Sequence, residues 1–493
     1  MPTSTATPRA TQRRPTPRRE AMSRVDTAWL RMERATNPMM ITAVLMFDEP
    51  MPLDRLRRVV RQRFLAYRRF LQKAVDTAAG ASWQTDPNFD LDWHVQLTAL
   101  PASRGPSGEK KALQRLVSQL ASTPLEHSRP LWQFQLVERY HGGSALIARI
   151  HHSYADGIAL VQVLLSLTDT TPDGRDLAQA WLKSDGADVA RRVGAAERTL
   201  KLGRKVARKS MEMVNDPTLA GVLAREGGEI ARELLQALAL PDDPPSLLRG
   251  ALGTSKRVAW AEPLDLDEVK AIGRACDCTV NDVLMACAAG ALRAYMVERG
   301  DDVDGLTLRA TVPVNLRPLE HARKLGNHFG LVFLNLPVGE ANPVARVQAV
   351  GACMQRLKHS RQAIVAYGLL AALGVAPAAL QGVALELFSR KATAVATNVP
   401  GPQQPLYLAG RRLREMMFWV PQTGSIGLGL SILSYNGRVH FGIVGDGRLV
   451  PDPDAVVRRF GAEFERLLYL VLMGRWDRAF DEHDAAALLP TAS

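Results

Sequence analysis

Two adjacent histidines, His151 and His152, stand in the stretch ARIHHSYADGIAL (148–160), directly after an apolar run. Asp156 and Gly157 follow closely, and a second apolar run begins there. An imidazole titrates near neutral pH, so these rings can accept a substrate proton, assist a nucleophile or bind a metal. They can equally be packed in a core. The secondary structure around the two rings indicates which of these roles is possible.

The residues around the pair predict a strand that ends at the histidines and a helix that begins just after them. SALIARI alternates like a strand, and GIALVQVLLSLTD has the apolar spacing of a helix. Asp156 stands where a helix N-cap belongs, and Gly157 permits a tight turn. Because neighbouring strand residues point to opposite faces, only one of the two rings can face a given cleft.

The opposed directions of the rings disfavour a metal site, which needs both rings and further ligands on one centre. Ser153 is close in sequence, but its surroundings do not resemble a nucleophile elbow. A general base needs only one unprotonated ring nitrogen near the acidic proton of a substrate. A general base therefore needs the fewest additional residues of the three roles. Helix capping is sufficient to explain Asp156. His151 can equally be packed in the core.

The chain has 493 residues, of which 46% are hydrophobic, and its length predicts two or more domains. A formal net charge of +12 favours anionic partners such as nucleic acid, lipid headgroups or phosphate-bearing substrates. The basic runs lack interleaved aromatic residues, which argues against nucleic acid. The four cysteines predict a reducing compartment, and the pair Cys276 and Cys278 has no second pair at zinc spacing.

The composition changes along the chain and predicts five segments. The first twenty residues are rich in Pro, Thr and Arg without an apolar block, which indicates a disordered tail rather than a secretory signal. The predicted segments are a disordered basic tail (1–22), an N-terminal lobe (23–171), a helical basic connector (172–255), a C-terminal lobe (256–480) and a second tail (481–493).

Two segments raise the question of a membrane. Residues 362–385 carry no charge and are long enough to span a bilayer, but Pro377 interrupts them, so two short buried or interfacial helices fit better. Residues 191–210 contain many basic residues and one acidic residue, Glu197. They are either an amphipathic helix on an anionic membrane or a solvated bridge between domains.

The pattern H-H-x-x-x-D-G after a strand resembles the signature of the coenzyme-A-dependent acyltransferase superfamily. That superfamily includes chloramphenicol acetyltransferases and the condensation domains of peptide synthetases. Further stretches, in consistent order from about residue 23 to 470, resemble bacterial wax ester synthase/diacylglycerol acyltransferases. These stretches are SRPLW (128–132), TVNDVL (279–284), VPVNLRP with GNHFG (312–330) and TNVPGPQQPLYLAG (397–410).

The resemblance implies an α+β fold of two chloramphenicol-acetyltransferase-like lobes, each a mixed β-sheet with helices, with the active site between them. It implies transfer of a fatty acyl group from acyl-CoA to diacylglycerol or to a long-chain alcohol. His152 would act as general base without a covalent enzyme intermediate. Acyl-CoA would be a substrate, and neither a metal nor another cofactor is expected.

The resemblance also implies supporting roles. Asp156 would hold the turn through an ion pair with Arg317, and His151 would set local geometry. Asn281 would stabilise the oxyanion, although helix capping explains Asn281 and Asp282 almost as well. The expected substrate tunnel has two parts. The first consists of Pro130, Leu131 and Trp132, for which packing is the simpler interpretation. The second lies in a rigid turn and consists of Asn398, Pro400, Gly401 and Pro402.

Two alternatives remain at the level of the sequence. One is a freestanding condensation-type enzyme with a carrier-bound acyl donor, and the other is a non-catalytic basic coat protein of membranes or lipid droplets. For the acyltransferase, the positive charge predicts a cytoplasmic protein bound peripherally to the inner membrane face or to lipid droplets, where the acceptor dissolves.

Overall fold

The computed structural model describes residues 19–77, 80–173, 240–316, 326–358, 362–373, 378–474 and 481–488. The strands in chain order are β1 Arg19–Ala21, β2 Met40–Phe47, β3 Gln72–Thr77, β4 Gly80–Thr85, β5 Val95–Thr98, β6 Trp132–Tyr140, β7 Gly143–His151, β8 Thr168–Asp169, β9 Lys256–Trp260, β10 Leu264–Asp265, β11 Leu308–Asn315, β12 Phe329–Leu336, β13 Ala394–Pro400, β14 Tyr407–Leu408, β15 Arg411–Trp419, β16 Leu428–Tyr435 and β17 Arg438–Asp446.

The α-helices alternate with these strands, and a π turn (Val60–Phe64) and a 3-10 turn (Arg68–Leu71) follow the second of them. In chain order the helices are α1 Arg24–Arg31, α2 Leu53–Val59, α3 Leu91–His94, α4 Gly105–Ser122, α5 Gly157–Leu165, α6 Leu266–Ala275, α7 Val280–Glu298, α8 Pro343–Lys358, α9 Gln362–Leu373, α10 Ala378–Ser389, α11 Pro453–Met473 and α12 Glu482–Leu488.

The first lobe is built on a seven-stranded sheet with the order β5-β6-β7-β2-β15-β14-β8. Strands β6 and β7 form an antiparallel hairpin, and β5 runs parallel to β6. The hairpin turns at His141 and Gly142, both with positive φ (49° and 77°), a conformation that glycine adopts without strain. Every residue of β2 and β7 is buried, so the centre of this sheet is covered on both faces.

The second lobe has its own seven-stranded sheet, with the order β10-β17-β16-β13-β11-β12 and β9 paired with β17. As the sequence predicts, β16 and β17 form a hairpin through Asn436 and Gly437, which have φ of 49° and 75°. Helix α7 packs against this sheet. It is the one helix in the described ranges that is long and apolar enough to cross a bilayer, but 72% of its apolar window is buried in the lobe.

One strand is exchanged from the second half of the chain into the sheet of the first lobe. Strand β15 belongs to the second half of the chain, yet it pairs antiparallel with β2 in the sheet of the first lobe. The architecture confirms the α+β class with two mixed sheets and helices. The segment boundaries at 172 and 256 stay predictions, and they assign residues 407–419 to the C-terminal lobe although the structure places them in the first sheet.

Several predicted features lie outside the described residues. They include most of the N-terminal tail, the basic segment 191–210, the end of the C-terminal tail and Arg317. The uncharged segment 362–385 is described as the two helices α9 and α10, and residues 374–377 between them, with Pro377, are again outside the described part.

Candidate active site

The two histidines stand at the end of β7, where the chain leaves the first sheet. The backbone N–H of His151 donates to the Leu131 carbonyl (2.9 Å), and that of His152 donates to the Met39 carbonyl (2.7 Å). The backbone is therefore fixed by both neighbouring strands up to the second histidine. The His151 ring is fully buried, whereas the His152 ring forms part of the wall of a cavity.

This cavity has a volume of about 470 Å³ and is lined by residues of both halves of the chain. His152 and Gly157 belong to the first lobe, and Phe418 and Val420 belong to the exchanged strand or follow it. The remaining wall comes from α1, β11, β12, β13, β16, β17, α7, α8 and the segment after β15, and most of its side chains are apolar. The cavity therefore suits an acyl chain better than a polar ligand.

The His152 imidazole is held neutral. Burial lowers its pKa from 6.5 to about 4, against the opposing charge of Asp156. Its ring is stacked on Trp29, with centroids 4.1 Å apart and an interplanar angle of 23°. The ring interacts with its own backbone carbonyl and with the Asn327 side chain. Nδ1 is buried, and Nε2 is the nitrogen that faces the cavity. A neutral ring with an accessible nitrogen is ready to accept a proton.

His151 shapes the turn rather than the cavity. Its Nδ1 accepts hydrogen bonds from the Ser153 backbone N–H (3.1 Å) and the Ser153 hydroxyl (2.8 Å). The ring proton of the neutral form is therefore on Nε2, which lies 3.8 Å from a carboxylate oxygen of Glu33. Burial lowers the pKa of His151 to about 4. This geometry explains why two histidines can be adjacent and yet have different surroundings.

Asp156 caps helix α5, as the sequence predicts, through a hydrogen bond from the Ala159 N–H to its Oδ1 (2.8 Å). Its Oδ2 accepts a second bond from the backbone N–H of His328 in the other half of the chain (3.1 Å). Gly157 follows as the first helical residue and lines the cavity. The predicted ion pair of Asp156 with Arg317 stays a prediction, because Arg317 is not among the described residues.

Asn281 and Asp282, which the sequence could not separate, have different surroundings. Asp282 accepts from the backbone N–H (2.9 Å) and the hydroxyl (2.6 Å) of Thr279, the N-cap of α7, and so completes a capping box. Asn281 lines the cavity, and its Oδ1 accepts from Nδ2 of Asn398 (2.7 Å). That bond leaves the Asn281 amide hydrogens as donors, which is the chemistry an oxyanion needs.

The two predicted parts of the tunnel have different positions. Asn398 and Pro400 line the cavity. Gly401 and Pro402 continue as the turn after β13, where the Gly401 N–H donates to the Ser434 carbonyl (2.8 Å). A Cβ on Gly401 would lie 2.4 Å from that carbonyl oxygen, so this turn requires glycine.

Pro130, Leu131 and Trp132 do not line this cavity, and their assignment to the substrate tunnel stays a prediction. Leu131 and Trp132 are completely buried in the core of the first lobe. Trp132 stacks on His94 (4.3 Å), and its indole N–H donates to the Phe70 carbonyl (2.8 Å). An apolar run predicts burial, but it does not tell a core from a cavity wall.

Sequence reasoning gave no role to Trp29 or to Asn327, although both contact His152. Trp29 belongs to the amphipathic pattern of VDTAWL, and Asn327 belongs to GNHFG. Among the residues that the structure describes, no group of three or more His, Cys, Asp or Glu side chains converges as a metal site.

Comparison with known proteins identifies the family. Residues 22–284 match the wax ester synthase/diacylglycerol acyltransferase catalytic domain, and residues 325–468 match the WS/DGAT C-terminal domain. The chain belongs to the wax ester synthase/diacylglycerol acyltransferase family. This confirms the resemblance that its motifs carry, and it makes the protein an acyltransferase rather than a non-catalytic coat.

Relatives with similar length support the assignment to the WS/DGAT family. A putative diacylglycerol O-acyltransferase of Mycobacterium tuberculosis is 30% identical over 478 residues, which cover 91% of this chain and 90% of that protein. A probable diacylglycerol O-acyltransferase of the same species is 30% identical over 457 residues, which cover 86% of this chain and 94% of that protein.

Solved structures confirm the two-lobe fold. The wax ester synthase/diacylglycerol acyltransferase of Marinobacter aquaeolei superposes with a TM-score of 0.64 at 22% identity, covering 92% of this chain and all of that one. The first condensation domain of the calcium-dependent antibiotic (CDA) synthetase superposes with a TM-score of 0.57 at 17% identity, covering 94% and 97%. The predicted likeness to condensation domains thus holds for the fold.

Proposed function

We propose that this WS/DGAT family member transfers a fatty acyl chain from acyl-CoA to the hydroxyl of diacylglycerol, of a long-chain alcohol, or of both. The observation that carries the proposal is the neutral His152 ring with Nε2 at an apolar cavity of about 470 Å³. An acyl chain requires such a lining, and an alcohol requires such a base.

The reaction follows from these groups. His152 Nε2 takes the hydroxyl proton while the alcohol oxygen attacks the thioester carbonyl, and a tetrahedral oxyanion forms. The amide of Asn281, oriented by Asn398, donates to that oxyanion. The C–S bond then breaks, and the imidazolium returns its proton to the sulfur, so coenzyme A leaves as the thiol. The ester product retains the acyl group, and the ring is neutral again.

The acceptor can be assigned by a direct competition. Purified protein receives palmitoyl-CoA with diacylglycerol, with hexadecanol or with both, and the products are separated by chromatography. Diacylglycerol is the expected preference, because the relatives described above are named for it. His152→Ala should lower turnover by about 10²- to 10⁴-fold, the usual contribution of a general base. Near-normal turnover in this variant, with folding intact, would refute the base assignment.

A carrier-bound acyl donor is the second candidate, supported by the fold shared with condensation domains. The same assay separates the two, since free acyl-CoA should suffice for the first. Turnover only with an acyl group attached to a carrier protein would favour the second.

We further propose that the protein binds peripherally to an anionic membrane face or lipid droplet in the cytoplasm. Helix α10 supports this because its polarity is inverted: Gln381 and Ser389 are buried, whereas Val383 and Leu387 are 69% and 38% exposed. On the inner face of the same helix, Leu385 packs into a cluster with Trp29 and Phe329, two residues of the cavity wall. A lipid in contact with this helix would therefore lie beside the cavity.

Sedimentation with vesicles that contain anionic lipid tests this surface. The double variant V383S/L387S should bind more weakly than the wild type. Val297→Ser is the matched control, because Val297 is an exposed apolar residue (51%) on α7. Equal binding of all three proteins would exclude α10 as the lipid contact.

A further inference from the structure

Helix α1 presents two residues to the catalytic turn from one face. Asp26 and Trp29 are three residues apart, a spacing that places both side chains on the same side of a helix. Both are buried, with 3% and 4% of their surface exposed. Trp29 is stacked on the His152 ring, and the Asp26 carboxylate points to the segment around Asn327.

Asn327 connects Asp26 with His152. Its backbone N–H and its Nδ2 both donate to Asp26 Oδ1, at 3.1 Å and 2.8 Å. The same Nδ2 donates to the main-chain carbonyl of His152 at 2.9 Å. Both side-chain amide hydrogens of Asn327 are thus used, one on the carboxylate and one on the carbonyl of the catalytic residue. Asn327 is itself 2% exposed, so water cannot substitute for these bonds easily.

The segment around Asn327 is attached to the catalytic turn on both sides. The Gly326 N–H donates to the Tyr154 carbonyl (3.2 Å), within a parallel bridge between Ala155 and Gly326. The His328 N–H donates to Asp156. Asn327 therefore lies at the centre of a short strip that joins the second half of the chain to the turn.

We propose that Asp26, Asn327 and Trp29 are positioning residues for acyl transfer: Asp26 holds Asn327, Asn327 holds the His152 carbonyl, and Trp29 holds the imidazole plane. The proposal rests on the proposed role of His152 as general base. Helix α1 thus holds the His152 peptide through Asp26 and Asn327, and it holds the His152 ring through Trp29. The direction of Nε2 toward the cavity depends on that helix.

The chemistry of the pair predicts an asymmetry between conservative variants. Asn at position 26 keeps an oxygen that accepts from Asn327, so D26N should retain activity within a few-fold of the wild type. Asp at position 327 has no hydrogen to give to the His152 carbonyl, and it would face the Asp26 carboxylate. N327D and N327A should therefore lower kcat by about 10²-fold, the effect of a misplacement near 1 Å.

The test measures kcat and KM for palmitoyl-CoA in D26N, D26A, N327A, N327D, W29A and W29F. The positioning role predicts a loss in kcat with KM changed less than about threefold, and partial rescue by D26N and W29F. Arg24→Ala is the matched control, because Arg24 is an exposed residue of the same helix α1. Thermal unfolding of each variant separates loss of fold from loss of position.

A second measurement does not depend on turnover. With 13C-labelled histidine and H152Q to assign the signal, NMR should show that the His152 ring stays neutral down to about pH 5.5 in the wild type. In W29A solvent reaches the ring, and its pKa should rise toward the ordinary value of about 6.5.

The outcomes are distinguishable. Full activity of N327A together with an unmoved His152 titration in W29A would overturn the positioning proposal. Near-normal turnover in His152→Ala would overturn the base assignment instead, whatever the titration shows. Loss of kcat in N327A and N327D, with D26N and Arg24→Ala active, supports the positioning proposal.

Discussion

Acid is expected to unfold this protein through four buried histidines. Burial lowers the pKa of His94, His151, His152 and His440 from 6.5 to about 4. An unfolded chain binds these protons near pH 6.5, whereas the folded protein resists them until near pH 4. The contribution of the four groups to stability is therefore complete above about pH 7 and declines as the pH falls through 6.5 toward 4.

The magnitude follows from the two pKa values. At pH 5 the unfolded form of one such histidine is almost fully protonated and the folded form almost fully neutral. The difference costs about 2 kcal/mol per ring and has an upper limit near 3 kcal/mol. Four rings together reach about 8 kcal/mol, which is comparable with the whole free energy of unfolding of a typical domain.

Urea unfolding at about pH 7.5, 6 and 5 measures this directly. His440→Gln should reduce the loss of unfolding free energy between pH 7.5 and 5 by about 2 kcal/mol, because one buried ring no longer titrates. His483→Gln is the control, since His483 is an exposed residue on α12. A free energy of unfolding that stays constant over this range, or an equal slope in His440→Gln and the wild type, would refute the reasoning.

Further substitutions test the site and the core. Asn281→Ala should lower kcat by about 10²- to 10³-fold with an unchanged fold, as loss of an oxyanion donor does, which kinetics and circular dichroism can check. Asp282→Ala should instead destabilise the protein by about 1 kcal/mol through loss of the capping box, measured by urea unfolding. Leu131→Ala should cost about 2–5 kcal/mol of stability without raising KM for acyl-CoA, and a raised KM would support the predicted place of Leu131 in the tunnel. Gly401→Ala should shift the turn away from Ser434 and lower activity, whereas unchanged activity and thermal stability would show that the turn tolerates a Cβ.

The sequence predicted the features that depend on local order. The strand–turn–helix around His152 could be read from periodicity and from the capping residue Asp156, and the hairpin could be read from Asn436 and Gly437. The ordered motifs identified the family because they extend along most of the chain. In each case the information lies within a few neighbouring residues or in their order.

Features that depend on distant contacts could not be read in this way. Nothing near residue 411 indicates that β15 pairs with β2, because the partner strand is more than 350 residues away. The contact of Trp29 with His152 arises only when α1 packs against the turn. Trp132 is packed in the core of the first lobe, the simpler of the two interpretations of its apolar motif, but the motif alone could not distinguish a core position from a tunnel wall.

The exchanged strand has a consequence for biosynthesis. On the ribosome, β2 emerges early with the sequence MITAVLMF, which is apolar except for Thr42, and one of its edges has no neighbour until residues 411–419 are translated. An open apolar edge invites association with other chains. A nascent chain interrupted before residue 411 should therefore aggregate or require a chaperone. Dividing the gene between the lobes should yield two insoluble fragments that become soluble only when they are produced together.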